Sequence, residues 1–65
     1  MWIVVAVANN RSLAERIQNV LESEGILVKL SSATLRANRQ SRTIEIMVLE
    51  SEADISREVL LDNGL

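Results

Sequence analysis

The sequence contains no cysteine, histidine, tyrosine, phenylalanine or proline, and Lys29 is its only lysine among 65 residues. Without cysteine there is no disulfide, and without cysteine and histidine the usual zinc ligands are missing. The same absences remove the thiolate, imidazole and phenol groups that enzymes most often use as nucleophile or general base. We therefore predict a protein that is not an enzyme and that binds no cofactor and no metal ion.

Charge and apolar runs exclude further classes of partner. The formal net charge is -2, so no overall field draws nucleic acid or an acidic membrane to the protein. The apolar run Trp2–Ala8 has no basic segment before it and is far shorter than the roughly 20 residues that span a bilayer. We expect a cytoplasmic protein without membrane contact, and nucleic-acid binding is disfavoured.

The length predicts one domain over residues 1–65. A chain of about 60 residues buries only about 60% of its unfolded surface, which makes its stability marginal. Because disulfides and zinc are unavailable, self-association is the remaining common source of stability. We expect a homo-oligomer, with a dimer as the favoured form.

The first half of the chain shows one strand and one helix. The run Trp2–Ala8 is apolar at every position, which is typical of a buried strand. Between Arg11 and Glu24 the apolar residues recur at helical spacing. Asn10 or Ser12 is expected to cap this helix, and Gly25 is expected to end it.

The second half continues with two strands and a short helix. Ile26–Leu30 and Thr43–Val48 alternate with period two, and a polar loop, Ser31–Arg42, is predicted between them. A capping pair, Ser51 with Asp54, then starts a helix that runs to Leu61. The resulting βαββα order predicts an α+β, truncated ferredoxin-like fold: a three-stranded antiparallel sheet in the order 1-3-2 with two helices on one face.

Strand alternation predicts an apolar sheet face that the helices leave uncovered. With Ile3, Val5 and Val7 turned toward the helices, the opposite face carries a set of candidate interface residues: Trp2, Val4, Ala6, Leu27 and Met47. Lys29 and Glu45 share this face and are expected to form an ion pair across neighbouring strands. The interface of the predicted dimer is placed either on this face or on the free edge of the first strand.

A basic loop is the candidate ligand site. Arg36, Arg39 and Arg42 stand among hydroxyl and amide side chains with no acidic residue nearby, a composition that suits binding of phosphate or carboxylate groups. Asn10 and Arg11 are added to these candidate ligand-binding residues. A solvated basic loop without a ligand is the alternative interpretation. The acidic residues Glu50, Glu52 and Asp54 are explained by helix capping rather than by a bound cation.

Two segments, ANNRSLAERIQNVLESEGILVKL and IEIMVLESEADISREVL, resemble a family of small bacterial signal-transducing proteins of unknown function. That family is grouped by fold with the PII-like (GlnB-like) ferredoxin-fold regulators. The resemblance implies this architecture and a regulatory or binding role, it allows the arginine-rich loop to sense an anionic metabolite, and it implies no catalytic residue. The alternative is a self-associating accessory protein that docks on another protein through its sheet face or edge.

Overall fold

A computed structural model describes residues 1–34 and 42–65 of the chain. The strands are β1 (Trp2–Ala8), β2 (Val28–Thr34) and β3 (Arg42–Leu49), and the helices are α1 (Arg11–Ser23) and α2 (Ala53–Asp62). The strands form one antiparallel sheet in the order β1-β3-β2, and both helices contact the sheet and each other. The predicted α+β ferredoxin-like architecture is confirmed.

The core lies between the helices and one face of the central strand. Ile44, Ile46 and Val48 alternate along β3, and all three are buried, as the period-two pattern predicted. The residues that cover them from the helices are also buried: Ala14, Ile17, Leu21, Ala53 and Leu60. Because α1 turns a single apolar stripe toward the sheet, its remaining faces stay polar and exposed.

The two ends of α1 follow the predicted capping chemistry. The Asn10 side-chain oxygen accepts a hydrogen bond from the Leu13 amide at 2.8 Å, which satisfies one free N–H of the first turn. At the other end Gly25 has a φ of 79°, a left-handed conformation that costs glycine little. The amide of Ile26 donates back to the Leu21 carbonyl at 3.2 Å, so α1 closes in a Schellman motif.

This turn sets where β2 begins. Ile26 is buried beside Leu21 and its amide is used by the helix end, so the residue is not part of the strand ladder. The strand therefore starts at Val28, two residues later than the alternation predicted.

The predicted loop between β2 and β3 is too long at both ends. Ser31 pairs with Glu45, Ser32 with Ile44 and Thr34 with Arg42, so these residues belong to the ladder. Ser31 lies on the side of the sheet turned away from the helices, and Ser32 is exposed on the outer strand, so polar side chains are tolerated at both positions. Of the predicted loop residues, Arg36 and Arg39 lie outside the part of the chain that the structure describes.

The start of α2 differs from the prediction. Glu50–Glu52 form a 3₁₀ turn, and Glu52 precedes the helix without a side-chain capping bond, so the expected Ser51 and Asp54 capping box is wrong. Asp54 instead accepts a hydrogen bond from Arg57 at 3.4 Å on the exposed side of the helix. Ser51 lies inside the 3₁₀ turn, and Glu52 instead occupies the position before the first residue of α2.

The remainder of α2 is as expected. Ser56 is fully buried, and its hydroxyl donates to the Glu52 carbonyl at 2.6 Å, so the polar atom is satisfied inside the core. Gly64, with a φ of 72°, ends the helix as predicted. The Leu65 amide donates to the Leu60 carbonyl at 2.8 Å, which repeats the closure seen at the end of α1.

A β-bulge in β1 is the main feature that the sequence pattern missed. Ile3 pairs with Val48 and Val4 with Met47, whereas the next pair along the ladder is Ala6 with Ile46. Val5 is therefore an extra residue in β1, and the alternation of side chains changes phase at this point.

The bulge reassigns two residues between the faces of the sheet. Val5 and Ala6 both pack against the core, although they are neighbours in sequence. Ala6, predicted on the uncovered face, therefore lies on the helix side, and that prediction is wrong. Val7, predicted to face the helices, is 58% exposed and lies on the uncovered face opposite Glu45.

Within residues 1–34 and 42–65, neither helix is long and apolar enough to cross a membrane. In the same residues, no three acidic side chains converge in a way that would hold a metal ion.

Candidate functional site

Among the described residues, the side of the sheet turned away from the helices carries several accessible apolar side chains. We call this surface the open face and define it by its members from the three strands and the residue before β2: Trp2, Val4, Val7, Leu27, Lys29, Ser31, Glu45, Met47 and Leu49. Directly opposed residues of antiparallel strands point to the same side of a sheet, so the register itself assigns these side chains to one surface.

One half of the open face is apolar. Trp2 pairs with Leu49 and Val4 pairs with Met47, which places four large side chains in two adjacent rows. Leu27 precedes Lys29 by two residues, lies on the same side of the sheet and is 59% exposed. Apolar side chains in contact over neighbouring strands form a contiguous patch, whereas isolated exposed apolar residues carry no such information.

The charged residues of the open face are arranged differently from the prediction. The Lys29 Nζ lies over the Trp2 ring, 5.5 Å from its centroid, so the long side chain reaches across β3 to a cation–π contact. Among the described residues no ion pair joins Lys29 to Glu45, and the expected ion pair is wrong. Glu45 instead occupies the row of Val7 and Ser31, where the apolar half ends.

A second accessible feature runs along the outer side of β1. It is a groove of about 340 Å³ between β1 and the two helices, which we call the edge groove. Its lining is apolar except for one arginine and comprises Val5, Ala6, Val7, Leu13, Ile17, Arg57, Leu60, Leu61 and Leu65. Leu61 is 78% exposed at its rim, so the groove is accessible from the side of the molecule.

The predicted anion-binding residues are only partly described. Ala8 pairs with Ile44, which brings Asn10 and Arg11 to the same end of the sheet as the described ends of the β2–β3 connection. Both have local structural roles there, because Asn10 caps α1 and Arg11 lies 3.8 Å from Glu15. The side chains of Arg36, Arg39 and Arg42 lie outside the described residues, so anion binding stays a prediction.

Sequence reasoning missed several members of both surfaces. Leu49 could have been predicted from the sequence, because it follows Met47 by two residues and so falls on the same side of β3. Leu65 was recoverable as the apolar residue after Gly64, a usual companion of a Schellman motif. The position of Val7 on the open face could not have been predicted, because nothing in the run Trp2–Ala8 marks the position of the bulge.

No protein-family model, curated protein or solved structure matches this chain. The resemblance to the PII-like signal-transducing proteins therefore stays a prediction, and the fold and the two surfaces are what the structure contributes to the question of function.

Proposed function

We propose that this protein is a small, non-enzymatic interaction module that forms a homodimer through the open face. The observation that carries the proposal is the apolar half of that face, where Trp2, Val4, Leu27, Met47 and Leu49 form a patch that neither helix covers. Contiguous apolar patches of this kind are typical of surfaces that bind another protein.

The size of the fold supports association. One layer of helices covers one face of the sheet, so half of the sheet makes no contribution to a core within the described residues. Domains of this length are marginally stable when alone. Packing a second sheet on the open face would bury Trp2, Met47 and Leu49 and would give the sheet a core on both sides.

The charges of the open face favour a second copy as the partner. Lys29 and Glu45 have opposite signs and lie on neighbouring strands one row apart. A two-fold axis that passes between them places Lys29 of each copy opposite Glu45 of the other, so the surface is complementary to itself. A partner of uniform charge would match only one of these two residues.

The bulge favours the open face over the edge of β1 as the dimer interface. Two β1 strands that pair about a two-fold axis need an unbroken register on both sides of the axis, and the extra residue Val5 interrupts that register in each copy. Two paired copies of β1 therefore meet this interruption twice, whereas a partner strand without a bulge meets it once.

Sedimentation velocity over a range of protein concentrations tests the proposal. We expect a dimer for the wild-type chain and a monomer for Val4→Lys, because the substitution places an unpaired charge inside the interface. Ile55→Lys is the matched control: Ile55 is also exposed and apolar, but it lies on α2, away from the open face. A wild-type monomer at all concentrations, or equal dissociation of the two variants, would contradict the proposal.

A second proposal concerns anionic small molecules. It is supported by the arginine-rich composition of residues 36–42 and by the register, which brings Asn10 and Arg11 to the end of the sheet where that segment connects β2 to β3. We expect phosphorylated metabolites to shift the NMR signals of residues 31–42. Shifts confined to other parts of the chain would remove this proposal and leave the dimer proposal unaffected.

A further inference from the structure

The direction of the backbone groups along β1 follows from a single hydrogen bond. The Glu50 amide donates to the Met1 carbonyl at 2.9 Å, directly before the first pair of the β1–β3 ladder. Bonded and non-bonded pairs alternate in an antiparallel ladder, so Ile3 is bonded to Val48 whereas Trp2 and Val4 are not bonded to β3. The N–H and C=O groups of Trp2 and Val4 therefore point away from β3, outward from the free edge of the sheet.

The bulge preserves this arrangement beyond Val5. Because the change of register puts Ala6 and Ala8 opposite Ile46 and Ile44, these alanines take over the bonds to β3. Val7 between them then points its backbone groups outward. Among the described residues no strand pairs with this side of β1, so Trp2, Val4 and Val7 present free backbone donors and acceptors along one edge.

A row of free backbone donors and acceptors is satisfied by another extended backbone. We infer that β1 and the edge groove together form a site that binds an extended peptide segment of another protein as a fourth strand of the sheet. The site uses the backbone groups of Trp2, Val4 and Val7 at the edge of the sheet, whereas the proposed dimer uses side chains of the open face, so the inference does not rest on that dimer.

The surroundings of the edge determine the chemistry of that segment. Its side chains on the helix side would enter the edge groove and contact Leu60, Leu61 and Leu65, so apolar residues are required at alternate positions. Its other side chains would continue the open face beside Val4 and Val7, where uncharged residues fit. Arg57 is the charged residue of the groove lining, and its exposed contact with Asp54 at 3.4 Å uses one guanidinium nitrogen. The other guanidinium N–H groups favour a carboxylate on the segment near that end.

The groove has a size that suits this role. Its volume of about 340 Å³ falls at the lower end of the range of ligand sites in proteins, roughly 300 to 1,000 Å³. It is therefore suited to a few aliphatic side chains that project from a paired strand rather than to a large rigid ligand. Main-chain pairing supplies affinity in such complexes, and the side-chain pocket supplies selectivity.

The test uses the full chain and a synthetic eight-residue peptide of alternating valine and threonine with a free carboxylate. Amide hydrogen exchange is read by NMR with and without the peptide. In the free protein we expect fast exchange at Trp2, Val4 and Val7 and slow exchange at Ile3, Ala6 and Ala8. Saturating peptide is expected to slow the first three amides about tenfold or more. The same peptide, N-methylated throughout, has no N–H groups and is expected to have no effect.

Two matched variants distinguish peptide binding in the edge groove from nonspecific binding to exposed apolar residues. Leu61→Glu is expected to weaken peptide binding about tenfold, because an apolar contact is replaced by a charge. Ile55→Glu changes an exposed apolar residue of the same helix that does not line the groove, and it is expected to leave the affinity unchanged. Both positions are exposed, so both variants are expected to fold.

Several results would overturn the inference. One is unchanged exchange at Trp2, Val4 and Val7 with millimolar peptide, and another is an equal effect of the N-methylated peptide. Equal losses of affinity in Leu61→Glu and Ile55→Glu would show that the groove is not used. A further contrary result is slow exchange of the three outward amides without peptide, which becomes slower as the protein concentration rises. That result would show that a second copy occupies the edge.

Discussion

Both faces of β3 carry large apolar side chains, but in opposite environments. Ile44, Ile46 and Val48 on one face are buried under α1 and α2, whereas Met47 and Leu49 on the other remain partly exposed, although they are as apolar. The difference comes from the number of helices and not from the strand itself. Within the described residues the two helices cover one face only, and the apolar residues of the second face are the basis of the dimer proposed above.

The largest expected effect compares neighbouring residues on the two faces. Ile46→Ala is expected to destabilise the monomer by about 3 kcal/mol, because it creates a cavity in the core. Domains of this size have about 3 to 10 kcal/mol of stability in total, so the variant would be close to unfolding. Met47→Ala removes a side chain that is partly exposed in the monomer, and we expect a loss below about 1 kcal/mol.

Urea unfolding at a protein concentration below that needed for dimerisation measures both values. Equal losses at Ile46 and Met47 would mean that the open face is already covered in the monomer.

The second effect concerns self-recognition by the open face. Lys29→Glu and Glu45→Lys are each expected to weaken the dimer about tenfold, or about 1.4 kcal/mol, because each brings like charges together across the two-fold axis. The double variant exchanges the two charges and is expected to restore association. Arg11→Glu, which changes a charge on α1, is the control. Dimer affinities are measured by sedimentation. A double variant whose loss of dimer affinity equals the sum of the two single losses would refute the proposed charge pairing.

A smaller effect is expected at the turn that separates the two faces. Gly25 directs Ile26 into the core and leaves Leu27 on the open face. A Cβ at this position meets no atom within 4 Å, so Gly25→Ala costs only the strain of the left-handed backbone, about 1 kcal/mol. Glu24→Ala, at a residue with a φ of -96°, is expected to change stability little. Thermal unfolding compares the two variants, and equal melting temperatures would contradict the expectation.

The smallest effect is on the open face of the monomer. Lys29→Gln removes the charge that lies over the Trp2 ring, and we expect a loss of about 0.5 kcal/mol. Trp2 is the only aromatic residue, so its fluorescence reports on this contact directly. Arg16→Gln on the exposed side of α1 serves as the control. Unchanged tryptophan emission in Lys29→Gln would show that the contact is not populated in solution.

The elements and the core were accessible from the sequence because they depend on local periodicity. The apolar stripe of α1, the buried alternation of β3 and the terminating roles of Gly25 and Gly64 each depend on residues close together in the chain. The order 1-3-2 followed from the handedness of the crossover and the succession of elements. The candidate surface was predicted in part: Trp2, Val4, Leu27 and Met47 lie on the open face as expected.

Only the tertiary structure decided the features that depend on pairing between distant segments. Every residue from Trp2 to Ala8 is apolar, so the sequence contains no signal for an extra residue at Val5, and the register with β3 alone reveals it. That register moves Ala6 to the core and Val7 to the open face. The position of Lys29 over Trp2 rather than beside Glu45 and the groove beneath the edge of β1 arise in the same way, because each joins residues that are far apart in sequence.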